Sequence, residues 1–355
     1  MDAVTTGMTI EADDITWLRA DVALESVARR EAAALARRAG FDERRTADLS
    51  LAVTEAATNL LRHASDGALG LRLAHRRETS VDVLTLDNGP GIADIASALS
   101  DGHSTSGTLG VGLGAIRRLA DTFDLHSLPG RGTVLLARFR MRASAHGPAT
   151  SPPSSALSVD GLSRPISGEQ VCGDTWAAHE RDVASGEAAR VTVMLCDGLG
   201  HGPLAARVGE RARQVFRQSP TGEPAELVRK LHAGLKGTRG AALAVAQVDA
   251  ASGRVRLCGV GNVSAFVWDG VTRSALLSSP GIVGSHLPQL RTHEAELPPG
   301  AVLVLHSDGL SDRWNPTEFP GLPSRHPAVI AGQVLAQAGV RRDDAGVVVV
   351  RSALR

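Results

Sequence analysis

Apolar residues recur at helical spacing through "RADVALESVARREAAALARRAGF" and "ERRTADLSLAVTEAATNLLRHA", the pattern of helices that bury one face. Leu49, Val53, Ala56 and Leu60 form one apolar stripe along the second. Shorter apolar runs follow in "ALGLRLAHR", "SVDVLTLDN", "FDLHSL" and "TVLLARFRM", which read as strands, with "LGAIRRLADTF" a helix ahead of the last two. Helices and strands in this order predict a two-layer α/β sandwich.

Periodicity lapses between Met141 and Ser158, where "MRASAHGPATSPPSSALS" offers no apolar face for a core. The expected division is therefore a first domain at 1–142, a linker at 143–158 and a second domain at 159–355. Beyond the linker, "RVTVMLCDG", "GAALAVAQVD", "RVRLCGVGN", "SAFVWDG", "AVLVLHSDG" and "AGVVVVRSA" read as strands. "PLAARVGERARQVF", "EPAELVRKLHAGL" and "PAVIAGQVLAQAG" have helical spacing. That mixture predicts an α+β domain with a central β-sandwich flanked by helices. No repeat runs through the chain, which excludes a solenoid.

Composition narrows the partners. At 355 residues the chain suits two domains, and 38 basic against 38 acidic side chains leave no net field for nucleic acid or an anionic membrane. No apolar run reaches membrane-spanning length, and "MDAVTTGMTIEADD" carries acids where a signal peptide carries bases. A cytoplasmic protein is expected. Cys172, Cys196 and Cys258 are odd in number and lie in apolar segments, so they are expected as buried reduced thiols. Without export, the sequon at Asn262 has no use.

Candidate chemistry in the first half begins with Glu55 and Asn59, one helical turn apart on a face turned from the Leu49 stripe. A base and a metal-binding amide are compatible with that spacing; so is a solvated helix face. "LDNGPGI" ends a strand with Asp87 and places Gly89 and Gly91 where backbone can approach a flat ligand. It also fits a polar turn. "GTLGVGLGAIRRLA" leads Gly110, Gly112 and Gly114 into a helix whose free N–H groups favour phosphate, or forms a flexible loop.

In that order, with "GRGT" before a last strand, these motifs resemble the GHKL (Bergerat-type) ATP-binding fold of histidine kinases, gyrases and anti-sigma kinases. "SVARREAAALARRAGF", "DGHSTSGTLGVGLGAIRRLADTF" and "PGRGT" narrow the resemblance to RsbT-type switch serine/threonine kinases over about residues 10–140. The resemblance implies ATP and Mg²⁺ as cofactors, with Asn59 holding the metal and Asp87 binding the adenine amine. It implies Gly89, Gly91, Gly110, Gly112, Gly114 and Thr133 lining the nucleotide, and Glu55 as the base that activates an acceptor hydroxyl. The segment from about Asp101 to Thr108 would be the lid.

In the second half "VTVMLCDGLGHG" runs an apolar strand into Asp197. Asp174 in "GEQVCGDTW", Asp308 in "VLVLHSDGL", and Asp343 and Asp344 in "RRDDAGVVVV" likewise stand at the ends of apolar segments. Any single Asp-Gly here fits a turn. Four carboxylates within about 5 Å of each other would repel by roughly 3 kcal/mol per pair at an effective dielectric of about 20. Such a cluster calls for cations, and an all-oxygen donor set suits Mg²⁺ or Mn²⁺ over zinc. Two ions about 4 Å apart would activate water against a phosphoryl group.

"GEQVCGD", "LCDGLGHG", "RGAALAVAQVD", "GVGNVSAFVWDG", "GIVG" and "HSDGL" resemble the type 2C metal-dependent phosphatases, in particular the SpoIIE group and its RsbX-like branch. The likeness spans about residues 160–352. It implies two Mn²⁺ or Mg²⁺ held by Asp174, Asp197, the Gly198 carbonyl, Asp308 and Asp343. Where relatives commonly have Thr after "DDA", this chain has Gly346, which leaves Asp344 as a rival for Asp343. His201 and His306 are read as packing or surface residues outside the site.

Together the resemblances imply a bifunctional switch enzyme that phosphorylates and dephosphorylates STAS-domain antagonist proteins in a sigma-factor or stress-signalling pathway. The alternative is a phosphatase whose first half is a nucleotide-regulated binding module for a sigma factor or phosphatase activator. No nucleic acid and no membrane are expected as partners.

Overall fold

The computed structural model describes residues 7–11, 15–76, 78–100, 112–141, 156–181, 189–311, 315–339 and 342–353. They divide into a smaller unit, Asp13–Ser151, and a larger one, Met1–Ala12 with Pro152–Arg355. Among the described residues no helix is long and apolar enough to cross a membrane.

The first strand, β1 (Gly7–Glu11), belongs to the larger unit. In the smaller unit, α1 (Leu24–Arg38) and α2 (Glu43–His63) pack on an antiparallel sheet of order β2 (Ile15–Arg19), β3 (Ala68–His75), β4 (Thr79–Asp87), β6 (Thr133–Arg140), β5 (Thr122–Ser127). The short helices α3 (Ile95–Ala98) and α4 (Gly112–Leu119) lie between β4 and β5. This is the expected two-layer α/β sandwich.

Asp42 starts α2 by accepting the Arg45 N–H at 2.6 Å, satisfying one of the helix's orphan donors. Leu49, Val53, Ala56 and Leu60 are all buried against Leu71, Val81 and Phe139, so the stripe seen in the sequence is the helix–sheet interface. On the other face of β4, Asp82 sits in register between Arg72 and Arg138, at 2.6 and 2.7 Å, with all three buried. A one-residue slip would bury these charges without partners, which pins the strand register.

The larger unit is a β-sandwich. One sheet has the order β1, β8 (Asp174–Arg181), β9 (Arg190–Gly198), β10 (Ala241–Asp249), β11 (Arg254–Val260), β14 (His293–Glu296). The other has β13 (Arg273–Leu276), β12 (Ser264–Trp268), β15 (Val302–His306), β16 (Ala345–Ser352), β7 (Leu157–Arg164). Trp176, Val193, Leu195, Leu303, Leu305 and Val348 fill the space between them. Helices α5 (Gly202–Gln218) and α6 (Pro224–Leu235) cover the outer face of the first sheet through Met194, Cys196, Val208, Phe216 and Leu231. Helix α7 (Pro327–Ala338) packs on β7 and β16 of the second. The central strands are thus buried on both faces, which is why "VTVMLC" is an unbroken apolar run.

Four sequence expectations shift. Residues 7–11, expected in the domain 1–142, form β1 and pair antiparallel with β8, Ile10 facing Ala178. Ile10 is 2% exposed and lies in the sandwich core, so burial and not chain position assigns it. Strand β7 starts at Leu157, inside the expected linker, because its apolar residues meet β16 and α7; residues 142–155 lie outside the described residues. The first helix starts at Leu24 because 15–19 form the sheet-edge strand β2. The helix expected to run to Phe123 ends at Leu119, since Thr122 and Phe123 pair with β6. All three cysteines are free thiols; Cys196 and Cys258 are buried and Cys172 is half-buried.

Candidate active sites

In the smaller unit, Glu55 and Asn59 stand one turn apart on α2, both half-buried, between the buried pairs Val53/Ala56 and Ala57/Leu60. Thr58 donates to Glu25 of α1 at 2.8 Å, fixing the helix pair beside them. The Asn59 side-chain nitrogen is buried with no hydrogen-bond partner. A buried amide in that state awaits a ligand or water.

Asp87 ends β4 opposite Thr133, the first residue of β6. Burial raises its pKa above the usual carboxylate value, against the opposing effect of the Gly89 and Thr133 N–H groups. The Gly89 N–H reaches its Oδ1 at 2.7 Å. At Gly91 φ is +70°, and a Cβ there would stand 2.0 Å from the Leu128 carbonyl oxygen. Only glycine fits, and the chain's own backbone already demands it. Ser127, which the sequence reading passed over, joins this corner: it accepts the Ile92 N–H and pairs with the Thr133 hydroxyl, both at 2.8 Å. Gly112 opens α4 with free space where its Cβ would be, whereas Gly114 is buried within the helix. Gly110 and the lid segment 101–108 lie outside the described residues.

In the larger unit the sandwich delivers carboxylates to one end. Asp174 and Asp197 are direct cross-strand partners on β8 and β9. Each continues an inward-facing series, Trp176 and Ala178 on one strand and Val193 and Leu195 on the other, so both stand where the two sheets open. Asp308 follows β15, and Asp343 and Asp344 precede β16.

The electrostatics show these groups acting on each other. Burial, then the charges of Asp308 and Asp343, push the Asp197 carboxyl up to about 7. Burial and the Asp197 charge hold Asp174 well above the ordinary range. Asp308 is raised by burial and then by Asp343. Asp174 is 3% exposed, and its Oδ2 is buried with no hydrogen-bond partner. Among the described residues no three acidic, His or Cys side chains close on one point as a ready-made ion site. The donor chemistry nonetheless fits divalent cations: clustered oxygens, one orphaned, whose mutual repulsion cations would relieve.

Asp344 has a different environment from Asp343. Its two oxygens accept the Ile166 and Gly173 N–H groups at 2.7 Å each, tying the loop before β8 to β16. Gly198 is buried, and a Cβ there would stand 2.7 Å from the Ala205 carbonyl oxygen, so the turn packs directly on α5. Further members come from outside the sequence motifs' aspartates. Asn262 donates to Asp308; the Ser307 hydroxyl favours the charged form of Asp174 and accepts the Gly346 N–H at 2.9 Å. Asn262 lies in "GVGNVSAFVWDG", one of the segments that carry the resemblance, and that is the signal pointing to it beyond the sequon. His201 is exposed and lies 3.3 Å from Glu169; His306 is 1% exposed, bonded to the Ser307 carbonyl at 2.8 Å.

Known proteins resemble each of the two units. Residues 18–139 match the histidine kinase-like ATPase domain model, and residues 187–352 match the model for stage II sporulation protein E (SpoIIE). The serine/threonine-protein kinase RsbT of Bacillus subtilis (strain 168) is 38% identical over 104 residues, covering 29% of this chain and 78% of RsbT. The phosphoserine phosphatase RsbX of the same organism is 22% identical over 146 residues, 41% of this chain and 70% of RsbX. A chain solved in work on the bacterial stressosome superposes with a TM-score of 0.48 at 30% identity, covering 55% of this chain and 99% of that one. The chain belongs to the RsbT family of histidine kinase-like ATPase domains, joined in one polypeptide to a region that matches the SpoIIE model.

Proposed function

We propose that the protein sets the phosphorylation state of STAS-domain antagonist proteins in both directions, the smaller unit adding phosphate to Ser or Thr and the larger removing it. The observation that carries the reading is the cross-strand pair Asp174 and Asp197, with Asp308 and Asp343 close enough to raise the Asp197 pKa. Carboxylates are held together against repulsion where divalent cations are to be bound. Asp174, Asp197, Asp308, Asp343 and the Gly198 carbonyl would hold two Mn²⁺ or Mg²⁺, which neutralise the cluster and polarise a phosphate ester. Asp174 and Asp197 are held by the sheet, and Asp308 by Asn262, which limits the movement needed to close these donors around the ions.

In the smaller unit Asp87 would recognise the adenine amine and Asn59 would hold Mg²⁺ beside the phosphates. Gly89, Gly91, Gly112, Gly114 and Thr133, with Gly110, would shape the nucleotide's surroundings. Phosphoryl transfer needs mainly positioning and charge neutralisation. Glu55, one turn from Asn59, would take the acceptor hydroxyl's proton.

The test uses the full chain with candidate STAS-domain proteins, γ-labelled Mg²⁺-ATP, and then Mn²⁺ without nucleotide. Label should enter the partner and then leave it. Glu55→Ala should slow entry about 10²- to 10⁴-fold, and Asp197→Asn should abolish release. Tight nucleotide-dependent binding with no label transferred would instead make the smaller unit a binding module. Release that survives Asp197→Asn would remove the carboxylate cluster from the reaction.

A further inference from the structure

The glycine turn that follows Asp197 carries a cation that neither the motifs nor the carboxylate cluster accounts for. The Leu199 N–H donates to the Gly240 carbonyl at 3.0 Å, extending the β9–β10 pairing one step past Ala241 and Gly198. Arg239 thereby comes opposite Gly200. Its guanidinium Nη1 lies 2.9 Å from the point where a Cβ on Gly200 would stand, and Gly200 has φ +89°. A side chain at Gly200 would displace the guanidinium; the bare backbone lets it rest over the turn, three residues on from Asp197.

Arg239 is exposed and, among the described residues, makes no ion pair or hydrogen bond. Arg213 on α5, by contrast, is paired with Glu210. Three residues back along the turn stands Asp197, on which Asp308 and Asp343 act with their negative charge and which in turn acts on Asp174. Two divalent cations would neutralise those four carboxylates and leave no surplus positive charge, while a phosphomonoester brings about 1.5 to 2 negative charges. A free guanidinium at the rim would supply the attraction, because its planar fork matches phosphate oxygens bidentately.

We infer that Arg239 is an anion-binding residue that grips the phosphoryl group of the phosphorylated substrate at the edge of the carboxylate cluster. The inference rests on the phosphatase reading of that cluster. It assigns Arg239 to binding and not to bond cleavage. Its contribution should therefore appear in KM and in phosphate affinity, with kcat little changed.

Two measurements on the full chain test it: steady-state hydrolysis of a phosphoserine peptide with Mn²⁺, and calorimetric binding of inorganic phosphate in Mg²⁺. Arg239→Ala should raise both KM and the phosphate Kd about 10- to 100-fold, with an unchanged melting temperature. Arg239→Lys, which keeps the charge and loses the fork, should recover part of the affinity. KM and Kd within twofold of wild type in Arg239→Ala would overturn the inference. Absence of Mn²⁺-dependent hydrolysis in the wild-type chain would instead sink the phosphatase reading, and the phosphate Kd would still decide whether Arg239 binds the anion.

Discussion

Asp344 is 3% exposed and receives two backbone N–H groups at 2.7 Å, whereas its neighbour Asp343 is exposed and acts through its charge on Asp197 and Asp308. The two should respond differently to removal. Asp344→Ala strands donors that lie inside the fold and should cost about 1–3 kcal/mol in urea denaturation. Asp343→Ala should stay within about 0.5 kcal/mol of wild type and instead weaken Mn²⁺ binding measured by calorimetry. Loss of stability in the Asp343 variant, with Asp344→Ala unchanged, would reverse the assignment. Both aspartates were legible in "RRDDAG" as candidates, and only the resemblance preferred one. The difference between them comes from Ile166 and Gly173, which lie 178 and 171 residues upstream, and no local spacing encodes that. Ser127 and Asn262 were missed for the same reason, since each acts on a partner that folding brings from another segment.

Strands β9 and β10 were readable because burial on both faces leaves an apolar residue at nearly every position. β8, "DTWAAHER", has no such run, yet it carries Asp174 and packs Trp176 into the core at 1% exposure. β7 interrupts its apolar positions with Asp160 and Gly161, where a Cβ would meet the Val347 carbonyl oxygen at 2.6 Å. Such strands owe their form to neighbours more than to propensity. β1 is the extreme case: five residues that bring Ile10 into the core at 2% exposure. Truncating it tests whether the strand is integral to the sandwich. Ile10→Ala should cost about 2–5 kcal/mol in the larger unit, read from tryptophan fluorescence because Trp176 packs in the same cluster, while ATP affinity stays as it was. An unchanged transition would mean that β1 is dispensable.

Each unit has its own hydrophobic core, so the whole molecule should behave as two folding bodies with separate ligands. Calorimetry should resolve two transitions. Mg²⁺-ATP should raise the one belonging to the smaller unit and Mn²⁺ without nucleotide the one belonging to the larger, by about 2.7 kcal/mol when ligand stands 100-fold above its Kd. The Ile10 variant identifies which transition is which. A single transition moved equally by either ligand would contradict the separate assignment. The two-unit plan was visible in the break of periodicity after Met141; the return of residues 7–11 to the other unit was not, because their partner strand lies far along the chain.

That return has a consequence for how the protein is made. Thr9 and His179, which meet across the β1–β8 pair, are 170 residues apart, and a ribosome working at about 5–20 residues per second separates their emergence by roughly 10–30 s. Throughout that interval β1 has no sheet to join, while the whole smaller unit is translated and can fold behind it. The larger unit's sheet is therefore finished by a piece that has waited through the synthesis of its neighbour, and cleaving the polypeptide between the two units would leave that piece on the wrong fragment.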